Sequence, residues 1–239
     1  TGSGKSTTLA AMIRYLNETA KKHVITIEDP IEFVHPSHRC LISQREVGLH
    51  TLEFNKALRS ALREDPDVIL IGEMRDRPTV NTALQAAQTG HLVLGTLHTR
   101  SAINSINRLL NLFNVDEQPA MRIQICDSLV AVVAQLLVPT VENRRTGVHE
   151  ILINTPAMRD YLLKGEDESA TQLIESDSYE GMQLLNQSIF EKVIEGRITM
   201  DEAEKVSPDP SDLDRRFRMA GIDTDGSIRQ FKAGKSPFS

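Results

Sequence analysis

The chain has 239 residues, is 40% apolar but only 4% aromatic, lacks Trp and carries a net charge of −6. One large domain or two modest ones with an aliphatic α/β core are expected, and a general electrostatic nucleic-acid binder is excluded. No apolar run reaches the roughly 18 residues of a membrane span, and Cys40 and Cys126 lack the spacing of a zinc site, so both read as reduced thiols of a cytosolic protein.

Residues 1–7 are Gly/Ser-rich, and Leu9–Leu16 continues with helical spacing. His23–Ile27 is a β-branched run that predicts a buried strand, followed by a polar loop over Glu28–His38 and a short strand over Cys40–Ser43. Leu52–Arg63 has helical spacing. Asp67–Gly72 is a continuous apolar run of the kind found in a central parallel strand covered on both faces. Thr79–Thr89 predicts a helix ended by Gly90, and Leu92–Leu97 another buried strand. Helices are expected over Ala102–Phe113 and Glu117–Leu137. Strands alternating with helices give a parallel-sheet α/β domain.

The polar, basic stretch Thr140–Gly147 suggests a boundary, so residues 1–139 form the expected core and 140–221 a mostly helical C-terminal domain. His149–Ile153 is a candidate last strand. Helices are expected over Ala157–Lys164, Ser169–Glu175, Gly181–Ile194 and Met200–Val206, with a short polar one restarting at Pro208–Pro210. Residues 222–239 read as a polar, disordered tail. No signal peptide is evident. The chain opens inside a motif and not at Met, which predicts a fragment whose first core strand would precede Thr1.

That motif is Thr1-Gly2-Ser3-Gly4-Lys5-Ser6-Thr7, the second half of a Walker A loop. Its glycines let backbone amides wrap phosphate oxygens, and the helix that follows points its positive end at them. Lys5 is placed to meet the β- and γ-phosphates of a nucleotide and Ser6 to bind Mg²⁺. The strand at 67–72 runs into Glu73, a Walker B shape with Glu where Asp is commoner, and a second candidate to hold Mg²⁺. Glu28, Asp29 and Glu32 crowd one loop directly after a strand, and one of them could align an attacking water. His91 and His98 bracket the strand at 92–97. His98 stands at its C-terminal end, where open α/β sheets bind ligands, and could sense a γ-phosphate.

Together these pieces resemble the secretion-ATPase superfamily of type II secretion and type IV pili. Its four signatures, Walker A, Asp box, Walker B and His box, match TGSGKST at 1–7, TIEDPIE at 26–32, GEMRD at 72–76 and TGHLVLGTLHT at 89–99, in that order. SQREVG at 43–48 and ALREDPDVILIGEMRD at 61–76 are similar as well. Within the superfamily the chain is most similar to the retraction ATPases of twitching motility. It lacks the four-cysteine insertion usual in extension and secretion members, and Ile151–Arg159, Gly181–Gln183 and Gly196–Ala203 resemble the retraction subgroup. AMRDYLLK at 157–164 departs from that subgroup toward its accessory paralogue.

The resemblance implies a RecA-like P-loop NTPase core that hydrolyses ATP with Mg²⁺ as a homo-hexamer and drives pilus retraction. The alternatives are an assembly or secretion ATPase and an ATP-binding accessory subunit. Implied partners are an inner-membrane pilus platform protein and a paralogous retraction ATPase, with no direct nucleic acid. The implied location is cytoplasmic, peripheral at the inner face of the cell membrane. Carried over by residue, Thr1–Thr7 bind nucleotide, Ser6 and Glu73 serve the metal, and Glu32 is the catalytic carboxylate supported by Glu28 and Asp29. His91 and His98 read nucleotide state, and Arg45 and Arg75 are candidate charge stabilisers or inter-subunit sensors.

Overall fold

A computed structural model describes residues 2–177 and 180–222. Thr1 and the tail from residue 223 onward lie outside the described residues.

Four strands, β1 (His23–Glu28), β2 (Leu41–Glu46), β3 (Val68–Ile71) and β4 (Leu92–Gly95), pair in parallel in the order β2-β1-β3-β4. Val24 lies opposite Ile42 and Val68, and Ile27 opposite Arg45 and Ile71. The side-chain alternation of a strand sends β1 and β3 residues to two different cores. Val24, Val68 and Leu70 pack with Ile13, Leu9 and Leu16 of α1 (Lys5–Thr19). Ile25, Ile27, Ile69 and Ile71 pack on the other face with Ala57, Leu58 and Ala61 of α2 (Phe54–Ala61) and Ala83 and Ala86 of α3 (Arg77–Gln88). Helices on both faces explain why β1 and β3 read as unbroken apolar runs.

The expectation of a buried strand over 92–97 needs correction. Among the described residues β4 is an outer strand paired only with β3, and Leu92 is 42% exposed. Its apolar run therefore gives less burial than the same pattern in β3.

A second correction concerns the long helix expected over Glu117–Leu137. After α4 (Ala102–Leu110), α5 (Gln118–Ser128) stops at Leu129, whose backbone is extended. The chain then enters β5 (Ala131–Pro139), which pairs antiparallel with β6 (Arg145–Ile153) along nine residues. Val130, Val132 and Val133 suit a pleated ladder better than a helix, because β-branched side chains lose χ1 freedom in helices. The last strand thus begins at Arg145, earlier than expected. The boundary expected after residue 139 falls in the turn of this hairpin, where Thr140 N–H donates to Arg144 O at 2.9 Å.

The rest is helical: α6 (Pro156–Lys164), α7 (Asp167–Ser176), α8 (Leu185–Ile194), α9 (Met200–Val206) and α10 (Pro210–Met219). Capping side chains start several of these, with Thr155, Thr199 and Asp209 accepting from the first-turn amides of α6, α9 and α10. One core joins α3–α7, and another joins Val138 and Val148 of the hairpin to Leu185, Ile189, Leu213 and Phe217. No described helix is long and apolar enough to cross a membrane.

Candidate nucleotide site

The N-terminus of α1 and the loops leaving the C-terminal ends of β1, β3 and β4 converge on one cleft of about 470 Å³. Open α/β sheets place ligands at this end. The cleft brings together Gly2–Thr7, Glu28, Asp29, Glu32, Glu73, Arg75 and His98.

Gly2 and Gly4 both hold positive φ, +78° and +85°, a region that favours glycine. Gly4 is the N-cap of α1, and a Cβ there would stand 2.7 Å from Gln135 Nε2 of β5. The open amides of the first turn, lacking an acidic or capping side chain, present the positive end of α1 to the cleft. Lys5 Nζ has one contact among the described residues, Ser3 Oγ at 3.4 Å, so its charge is not neutralised by a carboxylate. The Ser6 hydroxyl has no partner among the described residues.

Glu73 follows β3 and is held from two sides. Arg75 meets Oε2 at 2.5 Å, and His98 Nε2 lies 3.0 Å from Oε1. The Arg75 hydrogen bond holds the Glu73 carboxyl below its ordinary range, with His98 adding to the effect against a desolvation that opposes it. His98 is held in reach because Thr96 hydroxyl donates to Gly72 O and Met74 N–H donates to Thr96 O at 3.1 Å. Gly72 in turn packs against β1, where a Cβ would meet Glu28 Cα at 3.2 Å.

The loop after β1 spreads its carboxylates. Glu28 Oε1 accepts from the Thr26 hydroxyl at 2.6 Å and from Gln44 Nε2 at 3.3 Å, which turns it toward the sheet. Asp29 stands in the field of Arg75. Glu32 is exposed on the cleft wall and has no hydrogen bond or ion pair among the described residues. Asp29 and Glu32 thus both keep their oxygens open among the described residues, and Glu32 alone of the two is clear of the field of Arg75.

Two candidates are not brought there. His91 sits at the opposite end of β4, its Nδ1 2.9 Å from Ala86 O and 3.1 Å from Thr89 Oγ1, where it closes the C-terminus of α3. Arg45 on β2 pairs with Glu64. Asp76 of the GEMRD box caps α3, accepting from Thr79 N–H at 2.9 Å.

The β5–β6 hairpin supplies residues that sequence reading missed. Thr8 hydroxyl donates to Gln135 Oε1 at 2.7 Å, Leu137 packs beside Gly4, and Arg145 lines the cleft with no ion pair among the described residues. No local signal marks them. Arg145 reads as one more charge in a basic turn, and its place depends on a hairpin laid across the start of α1.

Chemically, the cleft is a cradle for a polyanion, with a bare helix N-terminus and an unpaired Lys5 facing carboxylates across a gap. The donor set suits Mg²⁺, which keeps several waters and needs few protein ligands. Glu73 is held toward the charged form that ligation requires, and the Ser6 hydroxyl has no partner among the described residues. No group of three or more His, Cys, Asp or Glu gathers as a metal cluster among the described residues.

The family model described as "Type II/IV secretion system protein" matches residues 1–142. The chain is 48% identical over 213 residues to the type IV pilus retraction ATPase PilT of Pseudomonas aeruginosa, covering 89% of this chain and 62% of that protein. It is 50% identical over 206 residues to a twitching motility protein of Neisseria gonorrhoeae, covering 86% and 55%. The crystal structure of the pilus retraction motor PilT with bound ADP superposes with a TM-score of 0.84 at 45% identity, covering 90% of this chain and 61% of that one. The chain therefore spans roughly three fifths of the length of these relatives. With the same α/β frame and four signature loops folded around one cleft, the chain belongs to the type II/IV secretion system protein family.

Proposed function

We propose that the protein hydrolyses ATP as the motor of type IV pilus retraction. The observation that carries this reading is the meeting of the P-loop, the Asp-box loop, Glu73 and His98 in one cleft. The likeness to a retraction motor whose structure contains ADP supports it.

In this reading the amides of Gly2–Thr7 and Lys5 cradle the β- and γ-phosphates. Glu32, unpaired and open, orients the attacking water and accepts its proton. His98 bridges the γ-phosphate position and Glu73, so it reports whether that phosphate is present. Arg75 balances the charge of Glu73 until nucleotide arrives. Ser6 directly and Glu73 through water would hold Mg²⁺, which when bound neutralises charge on the phosphate oxygens. His91, remote from the cleft, would act only through the α3–β4 connection. Thr1, expected to join the cradle, lies outside the described residues.

The wider reading is a homo-hexamer, cytoplasmic and peripheral at the inner face of the cell membrane, acting on a pilus platform protein. Residues 1–139 would form its ATPase core and 140–221 the helical part that passes on the motion. A second reading, an ATP-binding accessory subunit beside a paralogous motor, is favoured by the departure AMRDYLLK at 157–164.

The deciding experiment measures phosphate release and solution mass for full-length wild type, Glu32→Gln and Lys5→Ala. A hexamer whose turnover falls by roughly 10²-fold or more in both variants, with ATP still bound by Glu32→Gln, supports the motor. Wild type that binds ATP but turns over no faster than Glu32→Gln identifies an accessory subunit. Turnover that rises with DNA would sink the pilus reading.

A further inference from the structure

Glu150, in the middle of β6, is a buried carboxylate, 8% exposed. Its Oε1 accepts from Ala102 N–H at 2.7 Å, and the carboxylate also stands in the field of the Leu185 N–H, beside which it lines a cleft. Ala102 is the first residue of α4, and Leu185 is the first of α8. One side chain thus bonds the first amide of α4 and faces the first amide of α8. The cap position of α8 is Leu184, whose side chain has no acceptor, so β6 supplies what the local sequence does not. Burial pushes the carboxyl above its ordinary range, while the two amides pull the other way.

The place of this double cap matters. The segment from Thr96 to Ser101 carries His98 and runs straight into α4. At its start it is fastened to Gly72 and Met74 by Thr96, and at its end Glu150 holds Ala102. The same hairpin bonds α1 just past the phosphate loop, since Gln135 accepts from Thr8 and the neighbouring Ala134 lies opposite Glu150. On its far side α8 packs against β6 and α10.

We propose that Glu150 is a positioning residue that passes the position of the His98 segment on to the C-terminal helices, by holding α4 and α8 on one carboxylate. The inference rests on the nucleotide reading above. A carboxylate shared by two helix ends is a short link. Movement of α4 away from α8 is therefore resisted at this carboxylate, which couples the two helix ends.

The test is amide hydrogen exchange on the full-length protein with ADP or with a non-hydrolysable ATP analogue, each with Mg²⁺. In wild type, exchange in the first turn of α8, residues 185–188, differs by about tenfold between the two nucleotides, the scale of one charge-assisted hydrogen bond. In Glu150→Gln that difference disappears while residues 2–8 remain protected by nucleotide. Glu150→Asp, which keeps the charge but withdraws it, carries the same expectation and serves if the Gln variant does not fold. A merely static cap speeds exchange in both nucleotide states and leaves their difference intact, which overturns the proposal. So does a wild type in which α8 exchanges alike with both nucleotides while residues 2–8 are protected. Absence of protection at residues 2–8 overturns the nucleotide reading and this inference with it.

Discussion

His98 and Glu73, 25 residues apart in sequence, face each other with Nε2 3.0 Å from Oε1, and Arg75 occupies the other carboxylate oxygen. Glu73→Gln preserves the shape and removes the charge that both partners meet. Turnover is expected to fall by roughly 10²-fold with ATP binding retained, measured by phosphate release beside equilibrium binding. Wild-type turnover in this variant would show that the charge of Glu73 is not used.

Gly4 is constrained twice, by its positive φ and by Gln135. Gly4→Ala should abolish nucleotide binding. Adding Gln135→Ala removes the nearest contact but leaves Leu137 at 3.3 Å and the left-handed backbone, so only part of the binding returns. Calorimetric titration with ADP on both variants distinguishes the two constraints. Full recovery in the double variant would assign everything to the contact.

Arg145 is an exposed cation on the cleft wall with no ion pair among the described residues. Arg145→Ala is expected to raise KM for ATP by about tenfold, one charge-assisted contact, with kcat little changed. An unchanged KM would show that the guanidinium points away from bound nucleotide.

Burial lowers the His149 pKa below its ordinary value of 6.5, and Lys192 adds to the effect. The folded protein then keeps this ring neutral where the unfolded chain protonates it. The unfolded state binds more protons in that window, so stability rises with pH there and is lost as pH falls below about 6.5. Urea denaturation between about pH 7.5 and 5.5 should show this loss, by at most about 1.4 kcal/mol per pH unit for one proton. His149→Gln should reduce the slope without removing it, because burial depresses His35 in the same direction. An identical slope in the variant would mean that His149 titrates normally.

Much of this was readable from sequence wherever one element decided the outcome. β3 is a run of four apolar residues buried on both faces, and the turn after it holds Glu73 as the pattern requires. The misreadings share a cause. The stretch 129–137 is apolar in both halves of its period and suits helix or strand, and only its partner 145–153 decides. β4 reads like β3, yet its burial depends on what lies beside it. His91 and His98 stand at opposite ends of β4. Which one reaches the cleft follows from the direction of β4 in a parallel sheet, a fact of topology and not of residue type. Arg145 and Glu150 act across distances that no local window spans.

The turn at residues 140–144 joins two strands that share the same cores, and the family match ends inside it, at residue 142. A chain cut there would not separate into a core and a passenger. Each piece would own one strand of the same nine-residue ladder, with an apolar face already shaped for the other. The two halves are natural complements, and a reporter split at this turn would regain signal only when the ladder re-formed.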